Sequence, residues 1–70
     1  MNELSENKLT QRELEVLRHL VLGESNIEIA KELIITPHTV KAHVTSIFEK
    51  LAVQDRVQAA VKAVREKLVE

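Results

Sequence analysis

The chain has 70 residues, of which 44% are hydrophobic and 30% charged, with a formal net charge of −1, one Phe and no Tyr, Trp or Cys. A chain of this size makes one small domain that buries only roughly 60% of its unfolded surface, so it has little room for an enzyme cleft. The composition excludes disulfides, thiolate metal sites and an aromatic platform for single strands, and no apolar run approaches the roughly 18 to 20 residues of a membrane span.

The opening MNELSENK, residues 1–8, is polar and unpatterned and reads as a tail or linker remnant before a domain over 9–70. Thr10 with Glu13 three residues on forms a capping box, Leu9 can staple to Leu14, and Leu14, Leu17 and Val21 carry a first helix to Gly23. Ser25 with Glu28 repeats the box, with Ile27, Ala30, Leu33 and Ile34 as the apolar stripe of a short second helix. Thr36 as cap and Pro37 at the first helical position start a third, whose buried face is Val40, Val44, Ile47 and Leu51. Asp55 with Gln58 opens a fourth, with Val57, Ala60, Val61, Val64 and Leu68 as its stripe. No strand alternation and no internal repeat occurs, so the predicted class is all-α with four helices.

The outward side of the third helix reads His38, Lys41, Ala42, Thr45, Ser46, with no carboxylate until Glu49. The near-neutral total hides two unlike halves. Residues 1 to 35 carry seven acids against four bases, and residues 36 to 70 six bases against four acids. The basic half holds this face, which fits a nucleic-acid partner better than the net charge does.

A turn of about three residues between the second and third helices forces them to cross steeply, the helix-turn-helix geometry that can place the second of the pair in a major groove. Ala30 supplies the small residue at the close approach and Val40 the buried anchor. Ile34 stands at the turn, where Gly is often preferred, and a positive φ there implies strain on the order of 1 kcal/mol.

The segments LTQRELEVL, GESNIEIAKEL, HTVKAHVTSIFEKL and VQDRVQAA, within residues 9 to 64, closely resemble the LuxR-type (NarL/FixJ) DNA-binding domain of bacterial transcription regulators. The resemblance implies a four-helix helix-turn-helix domain that binds double-stranded DNA for transcription regulation, with helix 3 as the recognition helix and helix 4 pairing two copies. It puts Lys41, Ala42 and Thr45 where relatives commonly touch base edges, and Thr39, His43 and Asn26 at motif positions near backbone contacts or their support. Three residues depart from it: Thr45 stands where many members have Lys or Arg, Ile27 replaces a commonly charged residue, and Ile34 a common Gly.

The side-chain chemistry at these positions is compatible with such contacts. Lys41 can reach a guanine edge or a phosphate, Ala42 a thymine methyl, and the hydroxyls of Thr45 and Ser46 either kind of edge or a phosphate. His38 sits near a helix N-terminus where phosphate is favoured, and Lys50 and Arg56 are further phosphate candidates. The alternatives are solvated or back-bonded side chains and, for His43, a boundary histidine. A zinc site is not expected, because His38 and His43 lie about 140° apart around the helix. Val57, Ala60, Val61 and Val64 read either as core or as a stripe shared with a second copy, with Ala59 and Ala63 allowing close approach. The expected protein is a cytoplasmic, non-enzymatic regulator without cofactor. Its expected partners are DNA, a homodimer mate and RNA polymerase or a regulatory partner. The competing reading is a protein-interaction module that uses helix 4 without reading DNA.

Overall fold

The computed structural model describes residues 8–69, so most of the polar opening segment lies outside the described residues. Four helices follow in chain order: α1 (Gln11–Val21), α2 (Asn26–Leu33), α3 (Pro37–Leu51) and α4 (Arg56–Arg65). Among the described residues there is no strand, and no helix is long and apolar enough to cross a membrane.

Each helix starts where a side-chain oxygen can take an orphan N–H. The Thr10 hydroxyl accepts from the Glu13 N–H at 3.0 Å and the Glu13 carboxylate accepts from the Thr10 N–H at 2.9 Å; Ser25 and Glu28 repeat the pair at 3.1 and 2.8 Å. Thr36 accepts from the Thr39 N–H at 3.1 Å ahead of Pro37, and Asp55 from the Gln58 N–H at 2.8 Å. Gln58 reaches back to the N–H of Gln54 rather than to that of Asp55, so the fourth box is displaced by one residue. The ends use left-handed residues: Gly23 (φ 83), Ile34 (φ 59), Ala52 (φ 58) and Lys67 (φ 57). At the last of these the chain folds back, with the Leu68 N–H donating to the Ala63 carbonyl, which buries Val69.

The core is Val16, Leu17 and Leu20 of α1, Ile29 and Ala30 of α2, Val40, Val44, Ile47 and Leu51 of α3, and Ala59 and Ala63 of α4, closed by Leu9 and Val69. The central helix α1 packs on both α3 and α4, and α2 packs on α3.

Two stripes differ from the sequence reading. On α2 the buried residue is Ile29, whereas Ile27 and Ile34 are 61% and 90% exposed. Ile29, Ala30 and Leu33 form one face, and Ile27 lies about 200° around the helix from Ile29. On α4 the fully buried residues are Ala59 and Ala63, so they are core and cannot meet a second copy as expected. Small residues at i and i+4 allow α4 to approach α1 closely, and Val57, Val61 and Val64 are consequently turned outward.

Candidate nucleic-acid interface

The α2–α3 connection is three residues, Ile34, Ile35 and Thr36. Ile34 takes the left-handed conformation, and the Ile34 and Ile35 N–H groups both donate to the Ala30 carbonyl, which closes the end of α2. The burial of Ala30 and Val40 on either side of this turn fixes the pair as a helix-turn-helix.

With Val40, Val44, Ile47 and Leu51 buried, α3 presents His38, Lys41, Ala42, Thr45 and Glu49 to solvent. Lys41, Ala42 and Thr45 thus form a continuous outward patch of one cation, one methyl and one hydroxyl. Thr39 is half-buried and its hydroxyl lies 3.0 Å from that of Thr36, so it takes part in the cap of α3. His43 is half-buried at the edge of the patch.

Other residues expected to face DNA as free groups are engaged within the protein. The Ser46 hydroxyl donates to Glu13 Oε2 at 2.6 Å, and Lys50 Nζ donates to Glu13 Oε1 at 2.9 Å and to the Lys8 carbonyl at 3.4 Å. Arg56 donates through Nη1 to Asn26 Oδ1 at 2.8 Å and through Nη2 to the Glu24 carbonyl at 2.6 Å, tying the start of α4 to the start of α2. Burial of Glu13 alone would raise its pKa. Hydrogen bonds from Lys50, Ser46 and the Thr10 backbone, with the Lys50 charge, outweigh it and lower the carboxyl from 4.5 to about 2.

A family model described as "Bacterial regulatory proteins, luxR family" matches residues 7–63. The chain belongs to the luxR family of bacterial regulatory proteins. It is 53% identical over 68 residues to the transcriptional regulatory protein LiaR of Bacillus subtilis, covering 97% of this chain and 32% of that protein. It is 56% identical over 64 residues to the transcriptional regulatory protein LnrK of the same organism, covering 91% and 28%. To the response regulator protein VraR of Staphylococcus aureus it is 48% identical over 62 residues, covering 89% and 30%. The chain therefore spans about a third of the length of the curated relatives it matches. As a luxR-family helix-turn-helix domain it is a DNA-binding module of transcription regulation.

Within this luxR-family domain the positive charge is distributed less simply than the halves of the sequence suggest. Of the six bases after residue 35, Lys50 and Arg56 are engaged as above and Lys62 donates to the Leu51 carbonyl at 2.8 Å, capping the end of α3. Lys41, Arg65 and Lys67 are exposed. Sequence reasoning recognised Glu13 as a capping residue and missed its other role, because its partners lie 33 and 37 residues away. The burial of α3 on α1, implied by the Val40 to Leu51 stripe, was the one available signal that a polar residue of α1 would need a partner on α3.

Proposed function

We propose that this domain binds double-stranded DNA with α3 in the major groove, Lys41, Ala42 and Thr45 meeting base edges, and His38, Thr39 and His43 lying near the phosphates. The observation that carries this is the outward patch on α3: exposed, free of carboxylate over two turns, and set by a three-residue turn against a fixed partner helix. Lys41 supplies either a guanine contact or a phosphate contact, Ala42 allows close approach, and Thr45 donates or accepts. Asn26 and Arg56 support the interface by holding α2 to α4. Two copies pair through Val57, Val61 and Val64, with half-buried Ala60 beside them, and read two half-sites about one helical turn apart. A protein acting on bacterial DNA works in the cytoplasm, where RNA polymerase or a regulatory partner is the further contact.

Selection of duplexes from a random pool tests the proposal. A preferred sequence is expected to emerge, and Lys41→Ala with Thr45→Ala is expected to reduce the preference about tenfold or more while the thermal transition is unchanged. Recovery of bulk DNA alone sinks the reading.

The exposed valines of α4 favour a second reading, a module that docks another protein through α4 without reading DNA. Titration with duplex DNA separates the two. Amide shifts concentrated on α3 support recognition, and an unresponsive α3 supports docking.

A further inference from the structure

Two side chains of α3 turn away from the outward patch and meet one buried carboxylate. Glu13 is 6% exposed; its Oε2 accepts from the Ser46 hydroxyl at 2.6 Å and its Oε1 from Lys50 Nζ at 2.9 Å and the Thr10 N–H at 2.9 Å. Ser46 and Lys50 are four apart, so they sit one turn apart on the same side of α3 and the carboxylate grips successive turns. The apolar ridge Val40, Val44, Ile47 and Leu51 presses α3 down, but apolar burial is non-directional and tolerates roll and slide. Hydrogen bonds to a fixed carboxylate are directional. Glu13 is itself fixed by its bonds to Thr10, so the orientation of α1 is transmitted to α3.

The consequence falls on the neighbouring residues. Thr45 adjoins Ser46 on the chain, and Ala42 and Lys41 precede Thr45 by about one turn. A roll of about 20° moves side-chain tips at a radius of about 5 Å by about 2 Å, enough to lose a hydrogen bond to a base edge.

We propose that Glu13 is a positioning residue for DNA recognition, clamping α3 through Ser46 and Lys50 so that Lys41, Ala42 and Thr45 meet the groove in register. This rests on the reading of α3 as the recognition helix. It assigns Ser46 and Lys50 to the clamp and not to DNA.

The clamp is cut from the α3 side by Ser46→Ala combined with Lys50→Met, which leaves Glu13 its capping bonds to Thr10 and α1 its start. In the free domain, residual dipolar couplings are expected to report a changed orientation of α3 relative to α1. On DNA, the ratio of preferred to bulk affinity is expected to fall about tenfold, while the slope of log affinity against log salt stays as in the unaltered protein. A lost phosphate contact would instead reduce that slope by about 0.9. If the double variant does not fold, each single variant removes one grip and carries the same readouts. A folded variant that keeps the α1–α3 orientation overturns the clamp, whatever happens on DNA, and a slope reduced by about one overturns the assignment of Lys50. If the unaltered domain prefers no duplex, the recognition reading fails, and the orientation measurement still decides whether the clamp exists.

Discussion

Ile34 combines two unfavourable features, a left-handed backbone on a β-branched residue and a large apolar side chain left 90% exposed. The left-handed region costs a non-glycine residue roughly 1–2 kcal/mol, whereas Gly adopts it freely but loses about 0.4–1 kcal/mol more entropy on folding. With almost no packing to lose, Ile34→Gly is expected to stabilise the domain by about 1 kcal/mol, raising the melting temperature by roughly 5 °C. Scanning calorimetry checks this, and a lower transition would mean that Ile34 makes a contact worth more than its strain. Glu13 is the second residue whose surroundings set an energetic expectation. Its carboxyl is held at about 2 against an ordinary 4.5, so ionised Glu13 stabilises the fold fully above about pH 4.5. That contribution is lost as pH falls through about 2, and it amounts to something on the order of 3 kcal/mol. Urea unfolding between pH 5 and about 2 is expected to show a decline in the unaltered domain that is shallower in Glu13→Gln, and parallel declines would place the titrating group elsewhere.

At the scale of elements, the latch of Arg56 onto Asn26 and Glu24 holds the start of α4 to the start of α2. Hydrogen bonds from a charged donor contribute about 1.5–3 kcal/mol, and losing this pair leaves the Asn26 side-chain oxygen and the Glu24 carbonyl to find water. Arg56→Ala is expected to cost about 2 kcal/mol in urea unfolding and to speed amide exchange in α4 more than in α1. Uniform acceleration would show that the latch serves the whole core instead. All four helix starts were legible in the sequence, because a cap is decided by residues three positions apart. The outward face of α3 was legible as well, since Val40, Val44, Ile47 and Leu51 form the only large apolar stripe on that helix. On α2 and α4 the largest apolar residues were a poor guide. Close packing selected Ala59 and Ala63 for burial and left the valines outside, and α2 buries Ile29 while exposing Ile27. The Glu13 and Arg56 ties were illegible for a different reason: they join residues 30 or more positions apart, and nothing local marks both ends.

At the scale of the whole molecule, the arrangement leaves an apolar stripe on the exterior helix α4, with Val57, Val61 and Val64 72%, 44% and 58% exposed. These positions lie within about 60° of one another around α4, on the side away from Ala59 and Ala63. Full burial of a valine contributes at most about 1.5–3 kcal/mol, and the three here are already partly covered. Six valines in a symmetric pair therefore face an association cost of roughly 4–15 kcal/mol, which leaves free copies weakly paired. In the proposed complex DNA would change that balance, because two half-sites would hold two copies near each other and make their pairing effectively intramolecular. The expected behaviour is a domain largely monomeric at micromolar concentration that binds a two-half-site duplex cooperatively. Val64→Glu introduces a charge into the stripe without touching the core. It is expected to lower affinity for the two-site duplex about tenfold while leaving single-site affinity and the melting temperature unchanged. Sedimentation and gel-shift titrations on duplexes with one and two half-sites measure both quantities. Undiminished cooperativity in Val64→Glu would move the pairing surface off α4, and a parallel loss on the single site would mean that the residue acts on recognition and not on pairing.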